Sequence, residues 1–144
     1  MPQVRPFQPA DVDAVQMLLQ QLGYDVPISD VGARIECVLA ADGHHAVVAE
    51  QEGRVVGLVH VFARPALEKT CDAVVQTLVV DAKVRGLGIG KLLMAEAEDW
   101  ACTRGLVSIV LHTRIDRFDA CRFYEQIGYR RITTSHLMRK ELAR

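Results

Sequence analysis

Residues 85–91 read Arg-Gly-Leu-Gly-Ile-Gly-Lys, with Gly86, Gly88 and Gly90 at every second position. They lie between an apolar stretch (Leu78, Val79, Val80) and a set with helical spacing (Ile89, Leu92, Leu93, Ala97, Trp100). Glycine inside a helix is roughly 1 kcal/mol worse than alanine, so three of them where a helix begins call for a reason. The chemistry they offer is anion binding: bare backbone N–H groups at a positive helix end suit a pyrophosphate. Spacing narrows the kind of loop. A GxxxxGK[ST] phosphate loop fails, because Leu92 follows Gly90-Lys91 and Arg85 stands five residues before Gly90. A GxGxxG dinucleotide loop fails too, because its third glycine would fall on Lys91 or Leu93.

The elements around this loop follow from periodicity. Residues 3–7 form a short strand candidate, and 11–22 carry Val12, Val15, Leu18, Leu19 and Leu22 at helical spacing, with Gly23 as a stop. A second helix fits 29–41, with Ser29 as N-cap and Asp42-Gly43 as its end. Strands at 46–50 and 54–62 flank Gln51-Glu52-Gly53, a hairpin signal. A polar loop spans 63–72, and 74–80 is a nearly all-apolar strand expected to be buried on both faces. The glycine loop and a helix to about Arg104 follow, then a strand at 106–112, a helix at 116–127 stopped by Gly128, and strands at 129–132 and 134–138.

The totals bound the rest. A chain of 144 residues, half of them hydrophobic, is expected to be one domain spanning 1–144. With a net charge of -1, it shows no basic excess that would indicate nucleic acid as a partner. No apolar run approaches the ~20 residues needed to cross a bilayer, and the first residues lack a signal-peptide core, so the expected location is the cytoplasm. Cys37, Cys71, Cys102 and Cys121 are scattered and read as reduced, mostly structural thiols. No clustered ligand set indicates a metal.

Arg-x-x-Gly-x-Gly at Arg85, Gly88 and Gly90, after a strand ending Leu-Val-Val-Asp and before Gly-Ile-Gly-x-x-Leu-Leu, resembles the coenzyme A loop of the GNAT superfamily of N-acetyltransferases. Residues 120–129, ACRFYEQIGY, resemble that family's later motif Ala-x-x-Phe-Tyr-x-x-x-Gly-Phe/Tyr, one strand further on. The resemblance covers essentially the whole chain. It implies an α/β (α+β) fold with a mixed, mostly antiparallel central sheet of about six to seven strands, flanked by four helices in the order β-α-α-β-β-β-α-β-α-β-β. The C-terminal segment looks most similar to acetyltransferases of small amines, of the aminoalkylphosphonate and aminoglycoside 6'-types.

The resemblance also implies an activity, transfer of acetyl from acetyl-CoA to the primary amine of a small molecule by direct attack. No metal takes part. The pyrophosphate would lie over Arg85, Gly86, Leu87, Gly88, Ile89, Gly90 and Lys91, with the Arg85 side chain adding a contact. The pantetheine arm would run along Leu78, Val79 and Val80, where a backbone N–H of Leu78 or Val79 would polarise the thioester. That strand must part from the one at 106–112 to admit it. Tyr124 holds the position where relatives use a hydroxyl to protonate the leaving thiolate. Arg117 stands where relatives often carry Asn, and could reach a cofactor phosphate or an anionic substrate; Arg114 and Arg122 lie nearby.

A base is harder to find. Many relatives carry Glu on the strand at 74–80, but this chain has Gln76, which can orient an amine or a water and cannot take its proton. Glu68, Asp72, His60, His112 and His136 are the alternatives, together with a chain of waters. Tyr24, in the loop between the first two helices, is the expected acceptor contact. Two other functions fit the same residues: acetylation of a peptide or protein, and a non-catalytic coenzyme A-binding module. An apolar C-terminal strand that could pair across a two-fold makes a homodimer the expected assembly.

Overall fold

The computed structural model describes residues 1–143. The chain forms two compact units, Met1–His112 and Thr113–Arg144. The first holds a five-stranded sheet in the order β1 (Gln3–Pro6), β2 (His44–Gln51), β3 (Arg54–Arg64), β4 (Asp72–Val80), β5 (Ile109–Leu111). Neighbours from β1 to β4 are antiparallel, and β4–β5 is parallel. The same unit holds α1 (Val12–Gln21), α2 (Ile28–Ala40) and α3 (Ile89–Thr103), whereas α4 (Phe118–Gln126) belongs to the second. The mixed, mostly antiparallel α/β class and the four helices are those expected from the sequence.

Three expectations are corrected. The sheet has five strands rather than six or seven, because residues 129–143 form none. Ile132, Leu137, Met138 and Leu142 are each more than three-quarters exposed. A strand there would have neither an apolar layer nor a backbone partner within its own unit. β5 has three residues instead of seven, for Val107 faces solvent and gains nothing from extension into a ladder. α2 starts one residue early, capped by Pro27 (φ -57, ψ 144), and Ser29 makes no capping bond. Pro27 is fixed in an extended conformation, and its carbonyl accepts from the N–H groups of Asp30 and Val31.

The sheet buries both faces, and β3 shows how. Side chains alternate along a strand, so Leu58 and Gly57 point to opposite sides. On the Leu58 side, Val15 and Leu18 of α1 and Val31 of α2 pack with Val48, Leu58 and Val79. On the Gly57 side lies α3, with Ile89, Leu93, Met94 and Ala97 buried. Gly57 is small because α3 leaves it no room: an added Cβ would lie 3.0 Å from Leu93 Cδ1, 3.0 Å from the Val79 carbonyl oxygen and 3.4 Å from Ile89 Cγ2. That close approach seats the start of α3 against the end of β4. Strand β4 is buried at Asp72–Val75 and then opens, with Gln76 exposed and Thr77, Leu78 and Val80 half-buried, so it is not covered on both faces throughout. Gly57→Ala is expected to destabilise by about 1–3 kcal/mol, because one of the clashing atoms is backbone and cannot rotate away. The measurement is a melting temperature about 3 °C or more below the parent's.

Candidate active site

The glycine loop is held by a buried carboxylate. Asp81 ends β4 at 2% exposure, and its N–H donates to the Val56 carbonyl at 2.8 Å. Val56 is available because a bulge lies there: Ala49 pairs with Gly57 and Glu50 with Val55, leaving Val56 unopposed. Asp81 Oδ1 accepts from the Lys83 N–H at 3.1 Å and from Gln21 Nε2 at 3.3 Å, while Gln21 Oε1 accepts from the Ala82 N–H at 2.9 Å. The Lys83 N–H above all, with help from the Gln21 amide, keeps the Asp81 carboxyl below the usual carboxylate range despite its burial. Arg85 Nε donates to the Val80 carbonyl at 3.2 Å.

Beyond this anchor the backbone turns over two glycines, Gly86 (φ 82) and Gly88 (φ 85), a region where a side chain costs about 1–2 kcal/mol. Nothing lies within 4 Å of where either Cβ would be, so open space adjoins both. Gly88 caps α3, and the first N–H groups of that helix point out of its end with no partner inside it. An anion of pyrophosphate size fits this arrangement.

β4 has an open edge next to the loop. It pairs with β5 only through Ala73–Ile109, Val74–Val110 and Val75–Leu111. From Gln76 to Val80 the same edge has no strand beside it. The opening begins at a bulge. Val61 pairs with Val75 and His60 with Thr77, so Gln76 has no residue opposite. The parting of these strands, which the family resemblance implied, is present, and Leu78, Val79 and Val80 lie along it.

The base candidates separate by position. Asp72 is 5% exposed, accepts from the Ser108 hydroxyl and bridges Lys69 at 3.0 Å and Arg64 at 3.7 Å. The Ser108 bond first, then Lys69, hold its carboxyl low, so Asp72 is a fixed anion that organises the start of β4. Glu68 and His112 are exposed, and so is His136 in the second unit. His60 differs. It is half-buried opposite Thr77, its Nε2 lies 3.0 Å from His44 Nδ1, and the two rings stack at 5.2 Å. Burial, then the neighbouring His44, push His60 down to about 4. Tyr24 is largely exposed on the loop after α1 and meets no other candidate.

In the second unit, α4 ends with the Tyr129 N–H donating to the Tyr124 carbonyl at 2.9 Å and the Gly128 N–H to the Glu125 carbonyl at 3.2 Å. This bond pattern requires the left-handed Gly128 (φ 104), which accounts for that glycine in the sequence motif. The Tyr124 ring sits edge-on to Phe123 at 5.2 Å and to Tyr129 at 6.0 Å. Burial pushes its phenol up, so it stays protonated at neutral pH. Arg117 caps α4 and opposes that shift by its charge. Arg114 is paired with Asp116 at 3.0 Å. Of the four cysteines, all free, only Cys121 is buried; Cys37 and Cys102 are exposed, which corrects the expectation of mostly structural thiols.

Sequence reasoning missed Gln21, the Val56 bulge and the His44–His60 pair. Gln21 reads as the polar end of a helix, and its contact is 60 residues away. The histidines lie on different strands, and only the register of β2 and β3 joins them. His60 binds its proton more weakly folded than at its ordinary 6.5, so the folded state loses stability as pH falls from about 6.5 through about 4. His60→Gln, which cannot titrate, is expected to lose less stability over that window in urea unfolding at stepped pH; equal losses would refute the assignment.

The profile of the Acetyltransferase (GNAT) family matches residues 12–129. An uncharacterized N-acetyltransferase of Bacillus subtilis (strain 168), YhdJ, is 27% identical over 124 residues, which is 85% of this chain and 86% of the relative. The aminoalkylphosphonate N-acetyltransferase of Salmonella typhimurium is 37% identical over 87 residues, 60% of this chain and 56% of that protein. Among solved structures, AAC(6')-Iy in complex with the bisubstrate analog CoA-S-monomethyl-acetylneamine superposes with a TM-score of 0.86 over 99% of both chains at 18% identity, a likeness of fold. A putative acetyltransferase from Agrobacterium tumefaciens superposes with a TM-score of 0.85 at 23% identity, over 96% of this chain and 99% of its own. The profile match extends from the start of α1 to just past α4, and the chain belongs to the acetyltransferase (GNAT) family.

Proposed function

We propose that the protein moves the acetyl group of acetyl-CoA to the primary amine of a small molecule. The observation that carries this is the open edge of β4 from Gln76 to Val80, running directly into the Asp81-anchored glycine loop. Acetyl-CoA supplies an activated thioester carbon and a thiolate leaving group. The N–H groups of residues 85–91 receive the pyrophosphate, and the Arg85 guanidinium adds charge. The backbone groups of Leu78 to Val80 that face away from β3 offer hydrogen bonds to the pantetheine arm, as a missing neighbour strand would, with the Val80 carbonyl shared with the Arg85 side chain. An N–H of Leu78 or Val79 stabilises the oxyanion that develops on the carbonyl. Gln76, exposed at the bulge, orients the amine or a water. Tyr124, protonated at neutral pH, donates its proton to the departing thiolate. Arg117 contacts the cofactor or an anionic part of the substrate.

The matched residues 12–129 run through both compact units, which supports reading 1–144 as one catalytic domain. No helix among the described residues is long and apolar enough to cross a membrane; the cytoplasm, where thiols such as the four free cysteines stay reduced, is the location we propose. Exposed Leu137 and Met138 in the C-terminal segment support a homodimer in which a second copy covers them.

Tyr124→Phe is expected to leave acetyl-CoA binding near normal by calorimetry and to lower turnover at least tenfold; unchanged turnover removes the assignment. A panel of amines read by thiol release tests the reading as a whole. Release with a lysine peptide alone would favour protein acetylation. Binding of acetyl-CoA with no release for any amine would favour a non-catalytic module.

A further inference from the structure

A cavity of about 150 Å³ lies between the sheet and the first two helices, on the face opposite α3. Its walls include Phe7, Val15, Leu19, Ile35, Val38 and Leu39. Beside Arg34, its polar lining is His60 and Thr77, which stand opposite each other on β3 and β4. No carboxylate is among the described residues that line it, and the only guanidinium is that of Arg34, 4.0 Å from Asp30 on the exposed side of α2.

Thr77 connects this cavity to the open edge of β4. It is the residue after the Gln76 bulge, so its side chain lines the cavity while its backbone lies on the stretch that β5 leaves free. Among the described residues, Thr77 is thus the one that both lines the cavity and belongs to the stretch of β4 that β5 leaves free.

We propose that this cavity seats the body of the acceptor, and that the acceptor is a primary amine on an apolar group about the size of a benzene ring. The inference rests on the acetyl-transfer reading above and names its substrate class. The cavity is partly open to solvent, and about 150 Å³ between its aliphatic and aromatic walls is room for a group of benzene size. A polycation such as an aminoglycoside or a polyamine would set its further ammonium groups against apolar walls, with a guanidinium beside them and no carboxylate to pair with. A short aminoalkylphosphonate would leave the cavity unfilled.

The His60–Thr77 pair suits the reacting nitrogen. As the carbon–nitrogen bond forms and the carbon–sulfur bond breaks, the amine must release one proton and the thiolate must gain one. His60 takes the amine's proton on the ring nitrogen away from His44 as it passes its other ring proton to His44, 3.0 Å away and partly exposed, from which it reaches water; burial keeps His60 neutral, so it relays the proton and does not store it. The thiolate receives its proton from Tyr124, which takes one back from water, so the proton released through His44 is balanced.

The test compares kcat/KM by thiol release for 2-phenylethylamine and isopentylamine with that for neamine, spermidine and 2-aminoethylphosphonate, with acetyl-CoA binding followed by calorimetry alongside. The apolar amines are expected to exceed the others at least tenfold. Val38→Phe fills the cavity and is expected to lower kcat/KM for 2-phenylethylamine at least tenfold at unchanged acetyl-CoA affinity. Leu39→Glu, at a position 50% exposed where folding is not at stake, places a carboxylate in the wall and is expected to shift preference toward spermidine at least tenfold. Best use of a polycation or the phosphonate by the parent, or an unchanged preference in Leu39→Glu, overturns the substrate class and leaves acetyl transfer standing. Acetyl-CoA binding with no thiol release for any amine overturns both.

Discussion

Two parallel strands that part after three residue pairs set the conditions for everything else in the first unit. β4 and β5 run together from Ala73 to Val75 and no further. A sheet edge in the interior of a fold is normally paired, since unpaired N–H and C=O groups lose their hydrogen bonds. Here the opening is held on both sides. Ser108 fixes the start of β5 to β4 through the Asp72 carboxylate, and its carbonyl accepts from the Ala73 N–H at 3.0 Å. At the other end the Asp81 N–H ties β4 to the Val56 carbonyl. Between the two anchors, the bulge leaves Gln76 with no residue opposite on β3, just where β5 ends.

Both anchors are buried carboxylates held in their charged form, and a third, Asp11, completes the set at the other edge of the sheet. Arg5 donates to both Asp11 oxygens and also bridges Glu50 on the neighbouring strand. The Arg5 bonds keep the Asp11 carboxyl low. Each of these groups contributes stability above the ordinary carboxylate pKa and loses it as pH falls through its lowered value, so acid weakens the outer strand, the start of β4 and the glycine loop together.

Local chemistry was legible in the sequence and long-range register was not. The glycine stops at Gly23 and Gly128, the Glu52-Gly53 hairpin and the Asp81-to-Gly90 loop each depend on residues within a few positions, and each forms where its spacing indicated. The parting of β4 from its neighbour was expected only through the family resemblance. The strands at 129–132 and 134–138 were misread because alternation signals a strand only when a partner and a covering layer exist. The cavity, the His44–His60 pair and the Val56 bulge arise from register across β2, β3 and β4, which periodicity within one strand does not encode.

The Gln21 side chain gives α1 a role beyond packing. Its amide grips Asp81 and the Ala82 N–H at once, while Val15 and Leu19 of the same helix form a wall of the apolar cavity. One rigid body of ten residues thus borders the glycine loop at its end and the cavity along its flank. Any free energy that α1 carries between an occupant of the cavity and one of the loop is the same in either order of arrival.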